Sequence, residues 1–199
     1  MSCKYLVGID EAGRGPLAGP VAVGVAVVPE EFDWGILEGV NDSKKLTPEN
    51  RFAIFRRAYT LRREGVLAWS VSMVGAEYID RKGIVAAIQK AMQRSLRRVA
   101  RDPAACRVLL DGALRAPSVY TDQTTIIKGD QKEKVIGLAS IVAKVTRDRY
   151  MERIAVLPQF APYQFEQHKG YGTKMHRAMI IERGLSDVHR KSYCRSCTN

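Results

Sequence analysis

Apolar residues fall in short runs separated by amphipathic stretches, and this alternation lays out the chain. Lys4–Asp10 (KYLVGID) is an apolar run that ends on an acid, and Pro20–Pro29 (PVAVGVAVVP) is Val/Ala-rich and bounded by prolines. Both read as strands, joined by a tight Gly-rich connection. In LTPENRFAIFRRAYTLRREG, Thr47 is an N-cap and Pro48 takes the first helical position. Phe52, Phe55, Ala58 and Tyr59 make that helix amphipathic, and Gly65 stops it. A third strand is expected at Val66–Val74, a long helix with a basic outer face at Gly83–Asp102, and a buried strand over Cys106–Gly112. The next segment reaches Asp130, after which Lys132–Leu157 reads as a helix with Ile136, Ala139, Val142 and Ala143 on its apolar side. A mid-helix Gly137 costs about 1 kcal/mol against alanine and is expected to soften it. A proline-aromatic loop and a last helix, TKMHRAMIIERG, follow. Interleaved strands and helices predict an α/β or α+β fold with helices packed on a central mixed sheet.

Composition narrows the setting. The 199 residues suit one domain with an ordinary core, and the polar, basic stretch after Gly184, to residue 199, is expected to be a partly mobile tail. Lys and Arg number 32 against 21 acids, a net charge of +11 that favours a polyanionic partner, nucleic acid ahead of an anionic membrane. The 4 cysteines are too few and scattered for a disulfide framework, so a reduced, cytoplasmic setting is expected. Cys194 and Cys197 have zinc-like spacing without a second pair. The longest apolar stretch, Pro16–Pro29, is too short to span a bilayer and is interrupted by glycine and proline; the N-terminus lacks the layout of a secretory signal.

Against that basic background the acids stand out. Asp10 and Glu11 close the first strand, Asp111 closes another and Asp130 opens a helix. Each alone is an ordinary turn or cap residue. Together, at the strand ends where ligands collect in sheet-based folds, they form a set of hard oxygen donors suited to Mg²⁺ or Mn²⁺ rather than zinc. A cation would also explain why adjacent carboxylates are tolerated at the end of an apolar strand. The glycines of Gly13-Arg14-Gly15 would let the backbone approach a ligand closely. His168, His176 and His189 do not group with the acids by spacing.

Six blocks in order, GIDEAGRGPLAGP, NDSKKL, LLDG, KGD, ASIVAKVTRDR and HKGYGT, spanning Gly8–Thr173, resemble the type 2 ribonucleases H, specifically ribonuclease HII. The resemblance implies a ribonuclease H-like fold with a helical C-terminal region, and an active site of Asp10, Glu11, Asp111 and Asp130 holding two divalent ions around the scissile phosphate. It also implies that Gly13, Arg14 and Gly15 sense the ribose 2′-hydroxyl, which separates RNA from DNA. Tyr171 would pack on the sugar at the RNA-to-DNA junction, and Lys44, Lys45, Ser140 and Lys144 would contact phosphates.

The implied partners are RNA/DNA hybrids and duplex DNA carrying ribonucleotides, with the protein acting as a monomer and away from membranes. Ribonuclease HIII shares the acidic core but carries an additional N-terminal substrate-binding domain; a catalytic strand starting at about Lys4 favours HII. Two other readings compete. A catalytically silent nucleic-acid-binding module fits poorly with four acids facing a phosphate backbone. A nucleotide-triphosphate enzyme would need a Gly-rich phosphate loop, which the sequence lacks.

Overall fold

The computed structural model describes residues 4–40 and 46–197; Lys44 and Lys45 lie outside the described residues. Five strands, β1 (Tyr5–Ala12), β2 (Val21–Pro29), β3 (Ala68–Val74), β4 (Cys106–Asp111) and β5 (Gln123–Ile126), form one sheet in the order β3-β2-β1-β4-β5. β1, β2 and β3 pair antiparallel, whereas β4 and β5 run parallel to β1, so the sheet is mixed. The helices are α1 (Pro48–Arg63), α2 (Ala76–Val99), α3 (Gly129–Lys132), α4 (Lys134–Ala155), α5 (Phe165–His168) and α6 (Lys174–Arg183).

Two apolar cores sandwich the sheet. On one face Val7, Ile9, Val23 and Val25 meet Ile88, Met92 and Leu96 of α2. On the other, Ala26, Val28 and Leu109 meet Phe55 and Leu61 of α1 with Leu138 and Val142 of α4. Covering both faces explains why β2 reads as an unbroken Val/Ala run: Val21 through Val28 are all buried. The α4 side is packed unusually close. A Cβ on Gly8 would lie 2.1 Å from the Val135 carbonyl oxygen, and one on Gly24 would lie 2.3 Å from that of Ala139. Side-chain-free positions on β1 and β2 therefore let α4 rest on the sheet backbone, and Gly24 is the residue paired with Asp10.

Several expectations are corrected. The Gly13–Pro20 connection between β1 and β2 is eight residues of looped chain rather than a tight hairpin turn. α2 begins at Ala76, with a break in helical geometry at Gly83 (φ 82°) where its start was expected. β5 was missed because Gln-Thr-Thr-Ile is short and half polar, as an edge strand can be. The expected helix from Lys132 is two, divided where Glu133 adopts an extended conformation (φ −119°, ψ 115°). Thr47 does cap α1, accepting a bond from the Asn50 amide at 3.2 Å, but Phe52 and Tyr59 are exposed; Phe55, Ala58 and Leu61 form the buried face.

The segment after Gly184 departs most from expectation: Arg190 and Cys194 are fully buried, and Asp80 of α2 accepts bonds from the amides of Lys191 (2.8 Å) and Ser192 (3.0 Å). Among the described residues no helix is long and apolar enough to cross a membrane.

Gly137 is not the soft spot its propensity suggests. A Cβ there would stand 2.4 Å from the Val40 carbonyl oxygen, so the glycine permits α4 to touch a loop backbone. Gly137→Ala is therefore expected to destabilise by roughly 1–3 kcal/mol in urea unfolding, overriding a helix-propensity gain of about 1 kcal/mol. A gain in stability would refute the close contact.

Candidate active site

The parallel register of β1 and β4 sets Ile9 opposite Leu110, so Asp10 and Asp111 follow as the next residues along adjoining strands. Because side chains alternate, both acids leave the face that buries Ile9 and Leu110 and turn toward α4. There the Ser140 side chain hydrogen-bonds the Asp10 carboxylate, whose Oδ1 also accepts the Glu11 amide at 2.8 Å. Burial, then the charges of Glu11 and Asp111, nonetheless push the Asp10 carboxyl up to about 8. Two hydrogen bonds do not offset the loss of water and the repulsion of neighbouring acids.

Asp10, Glu11 and Asp111 line a groove of about 430 Å³ together with Gly13, Arg14, Gly15, Arg51, Ser140, Lys144 and Tyr171. A larger depression of about 610 Å³ at the β3 edge, lined by Arg62, Trp69, Arg98 and Arg149 among others, has no carboxylate on its wall. Asp130 stands apart from the groove wall: it is fully buried in the first turn of α3, with Oδ1 sealed from solvent. Its neighbour Gly129 donates its amide to Asp111 Oδ1 at 2.7 Å, which ties α3 to the end of β4. Among the described residues, no three acid, histidine or cysteine side chains are gathered closely enough to hold a metal ion as a preformed cluster. The donor set still fits a divalent ion: three carboxylates on one wall, the Asp10 carboxyl raised by burial and then by its acidic neighbours, form a site that a cation would relieve.

The remaining predicted residues fall as follows. Arg14 Nε lies 3.3 Å from Glu11 Oε1, so the loop arginine is ion-paired to the acid at the end of β1. Gly13 has φ 87°, and a Cβ there would lie 2.1 Å from Arg147 Nε, whereas a Cβ on Gly15 would meet open space. Lys144 pairs with Asp148 at 2.9 Å, and its Nζ sits 5.5 Å from the Tyr171 ring centre. Tyr171 is 41% exposed, leaving its ring available at the groove mouth.

Three features escaped sequence reasoning. Arg51 lines the groove from α1. Arg147 and Arg190 are both fully buried behind the Gly13–Pro20 loop and donate to its carbonyls. A signal for Arg147 was present: Ala139, Ala143, Arg147 and Met151 recur every fourth residue along the buried stripe of α4, and only one of them is charged. The histidines gather with each other. His168 stacks on His176 (ring centres 4.3 Å apart), and His176 Nε2 is 3.0 Å from His189 Nε2.

The model of the ribonuclease HII family matches residues 7–196. The chain belongs to the ribonuclease HII family. It is accordingly a nuclease of the hydrolase class. It is 42% identical over 193 residues to the ribonuclease HII of Caldicellulosiruptor saccharolyticus, covering 97% of this chain and 88% of that one. It is also 42% identical over 189 residues to the Bacillus cereus enzyme, covering 95% and 68%. Among solved structures, the ribonuclease H2 of Pyrococcus horikoshii superposes with a TM-score of 0.71 at 24% identity, over 97% of this chain and 96% of that one. Bst-RNase HIII in complex with Mn²⁺ gives 0.63 at 18% identity, over 92% and 64%. These likenesses establish the ribonuclease H-like fold of this ribonuclease HII family member.

Burial pulls both His176 and His189 down to about 4. In the unfolded chain the same imidazoles titrate near 6.5, so between about 6.5 and 4 the unfolded state binds more protons and stability falls as the pH drops. The melting temperature is expected to decline as the pH drops through that window, less steeply in His176→Phe; the Asp10 carboxyl, raised to about 8, acts in the opposite sense between about pH 4 and 8 in both proteins. An identical slope in the variant would show that the histidines are not buried neutral.

Proposed function

We propose that this protein hydrolyses the RNA strand of RNA/DNA hybrids and cuts on the 5′ side of ribonucleotides embedded in duplex DNA, leaving 5′-phosphate and 3′-hydroxyl ends. The observation that carries the reading is the groove itself: Asp10, Glu11 and Asp111 share a wall with the glycine loop and an exposed tyrosine, in a chain of net charge +11. A nucleic-acid duplex is drawn by the overall charge, yet it meets carboxylates at the point of contact.

In this reading Asp10, Glu11, Asp111 and Asp130 hold two Mg²⁺ or Mn²⁺ ions. Bound there, the ions would neutralise the acids against the phosphodiester and supply an activated water and a stabilised leaving oxygen. The chain's own groups do the recognition. Gly13, Arg14 and Gly15 present backbone and side-chain donors to the ribose 2′-hydroxyl. Gly15, with no Cβ and open space in front of it, leaves room for a sugar to approach. Tyr171 offers its ring face to the sugar at the junction. Ser140 orients the Asp10 carboxylate, and Lys144, backed by Asp148, faces the groove as a phosphate contact, with Lys44 and Lys45 assigned the same role. The enzyme acts as a monomer in the cytoplasm.

A duplex with one embedded ribonucleotide, incubated with Mg²⁺, with Mn²⁺ and with chelator, tests this. Cleavage 5′ to the ribonucleotide with either ion and none with chelator is expected; binding without cleavage would favour a silent binding module. Asp10→Asn should lower the rate by at least about a thousandfold while duplex affinity stays within a few-fold. Wild-type rates in that variant would remove Asp10 from the chemistry. Tyr171→Ala should harm cleavage at a single ribonucleotide more than on a long hybrid, and equal losses would count against junction recognition.

A further inference from the structure

Two consecutive buried residues, His189 and Arg190, reach the two segments assigned above to reading the sugar, and each does so through backbone carbonyls. Arg190 Nη2 donates to the Gly13 carbonyl (2.6 Å), Nη1 to that of Arg14 (2.9 Å) and Nε to that of Gly19 (3.0 Å). Arg147 takes the next two, Pro20 at 2.9 Å and Ala18 at 3.2 Å. Five carbonyls of one loop are thus held from behind by two guanidiniums. Neither has a carboxylate within ion-pair distance among the described residues. Buried charge of this kind is costly; carbonyls engage all three nitrogens of Arg190, whereas Arg147 keeps Nη1 buried without a hydrogen-bond partner. Burial, with Arg147 close by, draws Arg190 down to about 10, so it stays charged at neutral pH.

His189 reaches the other segment through a chain of hydrogen bonds whose direction is fixed. The Ser186 amide donates to His189 Nδ1 at 3.0 Å, so that nitrogen carries no proton and the neutral ring holds it on Nε2. That proton is given to His176 Nε2 at 3.0 Å, which leaves the His176 proton on Nδ1, 2.9 Å from the Tyr171 carbonyl. His168 is fixed in the same way: its Nδ1 accepts the Gly170 amide at 3.2 Å and its Nε2 donates to the Tyr163 carbonyl at 2.8 Å. The two segments also meet directly, since the amides of Leu17 (2.9 Å) and Ala18 (3.3 Å) donate to the Gly170 carbonyl.

We infer that His189 and Arg190 are positioning residues for substrate specificity: adjacent in the chain, they latch the Gly13–Gly15 loop and the Tyr171 loop in one fixed relation. Selection for a ribonucleotide followed by DNA then depends on a segment that never touches the substrate. With the Gly13 and Arg14 carbonyls held from behind, the amides of the glycine loop are what it has left to offer to the groove at those two positions. The inference rests on the assignment of Gly13–Gly15 and Tyr171 as the sugar-reading elements.

The test compares affinities, by fluorescence anisotropy in an Asp10→Asn background, for three duplexes: all-DNA, one embedded ribonucleotide, and a long RNA/DNA hybrid. Arg190→Lys keeps the charge but loses the planar fork; it should reduce the preference for the single-ribonucleotide duplex over all-DNA by roughly tenfold, with all-DNA affinity unchanged within about twofold. His189→Phe keeps the ring shape and should reduce the preference for the single ribonucleotide over the hybrid by a similar factor. Folded variants that retain both preferences, or that lose affinity equally for all three duplexes, would overturn the latch. A parent protein that binds all-DNA and ribonucleotide duplexes equally would overturn the sugar-reading assignment and the latch together. Should either variant fail to fold, nitrogen-15 imidazole spectra of the wild-type protein at neutral pH decide: protons on His189 Nε2 and His176 Nδ1 are required, and the opposite tautomer on either ring refutes the relay.

Discussion

The structure depends on one contact, the seating of α4 directly on the backbone of β1 and β2 at Gly8 and Gly24. A side chain at either position would lift the helix off the sheet. Because the helix sits that low, its residues reach three levels of the site in succession. Ser140 meets Asp10, Lys144 enters the groove wall, and Arg147 passes behind the β1–β2 loop to hold its carbonyls. The acids come from strand register, and the groups that orient them come from helix pitch. A one-residue slip between β1 and β4 would send Asp10 and Asp111 to opposite faces.

Electrostatics divides the same region into two layers. Carboxylates face the groove, where burial, and then the charges of Glu11 and Asp111, raise the Asp10 carboxyl. A few residues deeper, two buried guanidiniums donate to loop carbonyl oxygens and lie over the rings of Tyr171 and Tyr193. Neither layer is arranged for stability alone, since buried like charges and buried unpaired cations both oppose folding. The arrangement makes sense if the front layer receives cations and a phosphodiester while the rear layer keeps the loop between them rigid.

Much of this was legible in the letters, and the rest was hidden for physical reasons. Strand ends marked by acids and the capping residue of α1 are local signals, and they place Asp10, Glu11 and Asp111 on one wall. The buried role of Asp130 was less legible: a residue in a four-residue helix looks like a cap until its burial is known. The segment after Gly184 misled because its composition is polar and basic, yet Arg190 and His189 are buried by partners about 170 and 13 residues away. Such long-range hydrogen bonds leave no periodic trace. Spacing likewise said nothing of the histidine stack, whose members are brought together by the turn between α5 and α6 and by the returning C-terminal chain. Arg147 alone announced itself, as a charge on a buried helical stripe.

The central claim is that the acids at the ends of β1 and β4, with Asp130 behind them, constitute a divalent-ion site. Anomalous X-ray scattering from crystals grown with Mn²⁺ addresses it most directly. The account predicts manganese peaks within coordinating distance, about 2–2.5 Å, of oxygens of Asp10, Glu11, Asp111 and Asp130. Manganese bound elsewhere on the molecule with none among these four residues would contradict it.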